Sequence, residues 1–196
     1  MVAAYLIGSV PMAIVVARIL NLPDPRTVGS GNPGATNVLR YGGKLAGVLT
    51  LASDVAKGVV AAWLAQIFAT DPWVVAACAL AVFLGHLYPV FFGFRGGKGV
   101  ATALGVWIVL VPAVGGLLVA TWITVALAFR YSSLAALVAA CAAPFYVWWL
   151  ASAGAYIVAA AAMTILLIWR HRGNIRNLVN GTESRIRLSG RSAPGR

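Results

Sequence analysis

Apolar residues run in six stretches, roughly 2–20, 45–69, 73–92, 99–129, 132–150 and 154–169, and almost all polar and basic residues lie in the gaps. Stretches near 20 residues predict helices that span a bilayer. The stretch 99–129 fits neither one span nor two. Lys98 and Arg130 are separated by 31 residues, whereas two full crossings need about 40. Pro112 lies near the middle and predicts a short helix over about 99–111, then a second helix ending at Phe129. Hydrophilic turns are predicted at Thr70-Asp71-Pro72 and Ser152-Ala153-Gly154. The count is seven membrane helices with a short fourth. A five-span alternative arises if 99–129 and 132–150 are divided differently.

Composition supports the membrane class. Of 196 residues 61% are hydrophobic and 10% charged, against about 25% charged in a soluble domain. A soluble fold of this size cannot bury so much apolar surface, whereas lipid solvates the outside of a helix bundle. Cys78 and Cys141 lie within apolar runs and read as small buried hydrophobes. Neither has metal-ligand spacing, so no metal is expected.

Charge orients the chain. Fifteen Lys and Arg face four Asp and Glu, for a net charge of +11. All but Lys57 cluster between apolar runs, at 18–44, 95–98, 130 and 170–196. The positive-inside rule places all four clusters in the cytoplasm, with the N-terminus outside and the C-terminus inside. The first run has no basic residue before it, so it reads as a retained span and not a signal peptide. Residues 1–185 form one polytopic domain, and 186–196 a flexible basic cytoplasmic tail. The aromatic residues sit in apolar runs rather than among basic ones, which argues against nucleic acid. Asp54 and Lys57 share one face of the second helix and predict a structural ion pair.

Three polar segments fall on the cytoplasmic side. The first runs Ser30-Gly31-Asn32-Pro33-Gly34-Ala35-Thr36-Asn37, followed by Arg40 and Lys44. Its glycines let backbone N–H groups approach a ligand, and Asn32-Pro33 predicts a helix start at Gly34–Asn37 whose first amides face an anion. The second contains Arg95-Gly96-Gly97-Lys98-Gly99 before the short helix, again glycine and cation at a helix start. It lacks the spacing of a Walker A loop, so ATP is not inferred. The third is His171-Arg172-Gly173-Asn174, then Glu183. If that helix runs on, His171 and Asn174 share a face, and Glu183 is expected to pair with a nearby Arg. His86 reads as a hydrogen-bonded core histidine. No paired carboxylates, Ser-His-Asp set or His-x4-Asp pair occurs in the segments.

Together, GSGNPGATNVLR, GHLYPVFFGFRGGKGVATALG and HRGNIRNLVNGTES resemble the three signature motifs of bacterial membrane glycerol-3-phosphate acyltransferases that use acyl phosphate, the PlsY family. The resemblance extends over nearly the whole chain, including DVAKG at 54–58. One departure is Asn177, where the family carries a basic residue; Arg176 stands beside it.

The resemblance implies transfer of a fatty acyl group from acyl phosphate to the 1-hydroxyl of sn-glycerol 3-phosphate. The products are lysophosphatidic acid and phosphate, in the first acylation of phospholipid synthesis. It implies no cofactor, and a site on the cytoplasmic face of the bacterial inner membrane. It implies catalytic roles for Ser30, Arg40, Lys98, His171 and Asn174. Phosphate binding extends to Gly31, Asn32, Gly34, Thr36 and Asn37, and to Lys44, Gly96 and Gly97. The proton acceptor is either a substrate phosphate oxygen or His171. The acyl chain is expected between helices, with Gly105, Ala113, Gly115 and Gly116 either opening that groove or marking helix contacts. The alternatives of a different class are a phosphate transporter or channel and a non-catalytic membrane subunit.

Overall fold

The structure is a computed structural model that describes residues 1–186, so the tail from Arg187 lies outside the described residues. Among the described residues every regular element is helical: α1 (Val2–Gly8), α2 (Met12–Ile19), α3 (Ala35–Phe68), α4 (Pro72–Leu87), a 3-10 turn (Val90–Phe92), α5 (Val100–Leu110), α6 (Pro112–Phe129), α7 (Ser132–Ala151), α8 (Gly154–Arg170) and α9 (Arg172–Val179). Helices α3, α6 and α7, and α4 together with the 3-10 turn that follows it, are long and apolar enough to cross a membrane, and the number rises to six if the bent pairs α1–α2 and α8–α9 each make one span. Helix α5 has 11 residues, about 16 Å of helix, roughly half the hydrocarbon thickness.

Backbone punctuation sets the breaks. Pro112 starts α6 one residue after α5 ends, as its position in the sequence predicts. Asp71 caps α4 by accepting the Trp73 amide at 2.9 Å. The first apolar run is not one straight helix, although the two pieces together are long and apolar enough for the single span expected. It breaks between α1 and α2 with a 42° bend, because Pro11 has no N–H to continue the ladder. Helix α3 would be a straight rod of about 50 Å, but Gly43 at φ +82° kinks it. Cys78 is buried as expected, whereas Cys141 is exposed on α7, since that stretch of helix turns its outer face away from the bundle.

Small residues bring the elements that carry the site together. A Cβ on Gly58 would lie 2.2 Å from the Thr102 carbonyl oxygen, and one on Gly105 would lie 2.1 Å from that of Val55. The α3 and α5 backbones therefore touch, which fixes the start of α5 beside α3. Gly105 and Gly115 are helix contacts, the latter against Ile108. Phe83, Leu87, Trp107, Val114 and Val147 fill the centre at no more than 2% exposure.

The α1–α2 break is tied to the predicted ion pair. Lys57 Nζ lies 2.9 Å from Asp54 Oδ1 and donates to the Val10 carbonyl at 3.1 Å. That carbonyl sits in the bend, where the helix offers it no partner. The Lys57–Asp54 contact is the ion pair expected, with both side chains buried. His86 Nδ1 faces the same oxygen at 3.5 Å, too long for the hydrogen bond expected of a core histidine.

Lys57→Met leaves Asp54 buried without its cation and is expected to destabilise the fold by about 3–5 kcal/mol. The double substitution Asp54→Asn/Lys57→Met should recover at least half of that loss. Thermal unfolding of the two variants in one detergent checks the order.

Candidate active site

The loop before α3 is held open by one buried side chain. Asn37, in the first turn of α3 and 2% exposed, donates through Nδ2 to the carbonyls of Pro25 (2.9 Å) and Val28 (3.1 Å). Its Oδ1 accepts the Ser30 amide at 2.9 Å. All of its hydrogen bonds are spent on loop backbone, so Asn37 shapes the loop. The N-cap of α3 is Gly34. The first amides of a helix have no partner within it, and Gly34, Ala35 and Thr36 border a cavity.

This cavity, about 470 Å³, has a polar mouth and an apolar interior. Of the residues the sequence points to, Ser30, Asn32, Gly34, Thr36, Asn37, Arg40, Lys98, His171 and Asn174 line it. They come from the loop before α3, α3 itself, the loop before α5, the α8–α9 junction and α9. Gly31, Lys44, Gly96 and Gly97 are not on its wall. The Gly96 and Gly97 amides are already bonded to the Leu87 and His86 carbonyls at 3.2 and 3.1 Å. Asn177 is exposed and off the wall, so the departure from the family pattern does not touch the cavity. Inside, α5, α6, α7 and α8 contribute Trp107, Leu118, Trp122, Ala140, Ala143 and Met163. Gly105, Ala113, Gly115 and Gly116 contribute nothing to that groove.

Glu183 and Ser133 also line the cavity, and neither was assigned to the site from sequence. Glu183 Oε1 accepts from Ser133 Oγ and from Asn174 Nδ2, each at 2.7 Å. Asn174 Oδ1 in turn accepts from Lys98 Nζ. Glu183 therefore does not take the Arg partner expected; among the described residues its bonds go to Asn174 and Ser133. The chain after α9 turns back to deliver it, with the Thr182 and Glu183 amides on the Asn177 carbonyl at 2.8 and 3.1 Å. Ile186 then pairs with Arg130 through both backbone and guanidinium. Ser133 carries no motif; Glu183 lies within the third motif, nine residues past Asn174, but its partners appear only in the fold. The α8–α9 axis bends by 59° at His171, so His171 and Asn174 do not lie on one straight helix.

The electrostatics follow from crowding cations out of water. Burial first, with the charges of Arg170 and Arg40 adding, lowers the Lys98 pKa to about 8; the Glu183 charge opposes this. His171 is lowered to about 4, chiefly by burial and then by the Lys98 charge. It is neutral at pH 7. Its Nδ1 lies 2.9 Å from the Leu167 carbonyl, which can only accept, so Nδ1 carries the proton and Nε2 the lone pair. Positive charge with few counter-charges, open amides and small hydroxyls suit the mouth to an anion. The apolar groove behind it suits a hydrocarbon chain.

The sequence model described as "Glycerol-3-phosphate acyltransferase" matches residues 1–181. The chain belongs to the glycerol-3-phosphate acyltransferase family. It is an acyltransferase of the membrane. Relatives named glycerol-3-phosphate acyltransferase include one from Methylobacillus flagellatus, 56% identical over 93% of both chains. Another, from Methylococcus capsulatus, is 55% identical over 93% of this chain and 92% of its own. A solved family structure, the integral membrane glycerol 3-phosphate acyltransferase PlsY (YgiH) in its glycerol 3-phosphate form, superposes with a TM-score of 0.90. It is 42% identical over 95% of this chain and 93% of its own. The lysophosphatidic acid form gives a TM-score of 0.86 at 42% identity, over 93% of this chain and 91% of its own.

In this family member, Lys98 is cationic below about pH 8 and loses its charge above it. Sulfate, whose charge is constant over this range, should bind less tightly as pH rises, by up to about tenfold per unit above the Lys98 pKa. Titration calorimetry at pH 7, 8 and 9 measures this. Lys98→Arg, which does not titrate here, should flatten the dependence.

Proposed function

We propose that the chain transfers a fatty acyl group from acyl phosphate to the 1-hydroxyl of sn-glycerol 3-phosphate. The products are lysophosphatidic acid and inorganic phosphate. The observation that carries the reading is a single cavity joining a cationic mouth, with Ser30, Arg40, Lys98, His171 and Asn174 on its wall, to an apolar groove. Such a cavity suits two phosphates side by side and one acyl chain. We place the site at the cytoplasmic face of a bacterial inner membrane, in a seven-span chain with its N-terminus outside. The clustering of cations in alternate gaps supports this sidedness.

In this mechanism Ser30, Thr36 and the start of α3 hold the acyl phosphate, while Arg40, Lys98 and Asn174 hold glycerol 3-phosphate. His171, whose Nδ1–H goes to the Leu167 carbonyl, joins the acyl-phosphate site as the imidazolium, donating through Nε2. Fixed cations offset repulsion between the two anions and supply proximity. The substrate hydroxyl oxygen attacks the acyl carbonyl carbon, the bond from that carbon to the phosphate oxygen breaks, and phosphate leaves with the bonding electrons. A phosphate oxygen takes the hydroxyl proton. The choice over His171 rests on its state in the loaded site: two bound anions favour the imidazolium, and a ring that already carries both protons cannot take the hydroxyl proton. His171 is then a ligand-positioning group.

Detergent-purified protein with radiolabelled glycerol 3-phosphate and synthetic acyl phosphate should form labelled lipid without ATP or acyl-CoA. Ser30→Ala and Lys98→Ala should each lose at least about 10²-fold in kcat/KM. Uptake of label into vesicles without lipid product would identify a transporter instead. His171→Gln is expected to keep much of the rate that His171→Ala loses. Complete loss in His171→Gln with normal substrate binding would make His171 the base.

A further inference from the structure

Arg170 ends α8, next to His171, and the functional reading above leaves it without a task. Its Nη2 donates to the Gly96 carbonyl at 2.6 Å and its Nε to the Gly97 carbonyl at 3.1 Å. The guanidinium carbon lies 5.6 Å from the centre of the Tyr88 ring, within the range of a cation–π contact. The Tyr88 carbonyl is bonded to the Tyr5 hydroxyl at 2.6 Å, so the platform is anchored on α1.

The same two glycines donate their amides to the end of α4, at His86 and Leu87. All four backbone polar groups of the Gly96–Gly97 pair are thus engaged, two by α4 and two by Arg170. Side chains do not fit there: a Cβ on Gly96 would lie 2.0 Å from the His86 carbonyl oxygen, and one on Gly97 would lie 2.2 Å from His86 Nε2. The pair has no amide left for an anion. It is a mount, and Lys98 is what it carries. Lys98 then meets Asn174, four residues beyond Arg170, so one guanidinium joins both halves of the cationic mouth.

We propose that Arg170 is a positioning residue that clamps the diglycine to α8, and so sets where Lys98 stands relative to His171 and Asn174. The inference rests on Lys98 being a substrate-binding group, as read above. The planar two-donor fork is the working feature, because it reaches two successive carbonyls at once. A lysine at this position keeps the charge and loses the fork.

The test uses the full chain in detergent, with glycerol 3-phosphate and synthetic acyl phosphate. Arg170→Lys and Arg170→Gln should purify folded, with Tm within about 4 °C of the parent protein. Each should lose about a hundredfold in kcat/KM, as an ångström-scale misplacement does, through raised KM for glycerol 3-phosphate as well as lowered kcat. The decisive comparison is a double-mutant cycle. If Arg170 acts through Lys98, Arg170→Lys/Lys98→Ala is no slower than Lys98→Ala alone. Amide exchange should quicken at 93–99 and not along α4. Activity of Arg170→Lys within threefold of the parent, additive losses in the double variant, or failure of both variants to fold would each overturn the clamp. An inert Lys98→Ala beside an unimpaired Arg170→Lys refutes only this inference. A fully active Lys98→Ala refutes the substrate-site reading beneath it.

Discussion

A lysine ammonium drawn out of water is the interaction on which the site depends. Lys98 sits in a loop between α4 and α5, and burial, with the Arg170 and Arg40 charges adding and Glu183 opposing, lowers its pKa to about 8. Such a group stays charged only if its donors are met. Asn174 meets one, and Glu183 stands behind Asn174 to supply negative charge one step removed. A carboxylate directly on Lys98 would compete with a substrate phosphate. Interposing a neutral amide keeps the cation stable without neutralising it, and leaves its remaining donors free for the anion of the proposed reaction.

The bilayer restricts where such chemistry can be built. In hydrocarbon every backbone polar group must be satisfied, so irregular chain is confined to helix ends and protein-lined breaks. The polar mouth accordingly collects helix termini: the start of α3, the loop before α5, and the α8–α9 bend. Where a break does occur within an apolar run, between α1 and α2, Lys57 supplies the missing donor to Val10. The ion pair with Asp54 thus holds a bend as well as a charge balance. Close α3–α5 contact at Gly58 and Gly105 transmits that placement to the α5 start.

The two polar glycine segments use glycine differently. Before α3 the glycines permit turns that open the helix N-terminus to the cavity, with Gly29 and Gly31 at positive φ. Before α5 Gly96 and Gly97 are small because α4 passes too close for any side chain. Similar composition therefore hides glycines that open a helix start to the cavity and glycines that pack against the protein. The distinction is between donors left free and donors already spent.

Much of this molecule was legible in its sequence. Apolar run lengths and Pro112 located α5, α6, α7 and α8 to within a residue or two, since hydrophobicity and proline geometry act locally, but gave neither the α1–α2 break nor α9. Clustered Lys, Arg, Gly, Ser and Asn marked three segments, and nine of the marked residues meet on one cavity wall. What the sequence could not carry was partnership at a distance. Lys98 meets Asn174 76 residues on, Ser133 meets Glu183 across 50, and Arg170 reaches back 74 to Gly96. Pattern reports which face of a helix is apolar; only packing decides which polar group, far along the chain, lies within three ångströms of another.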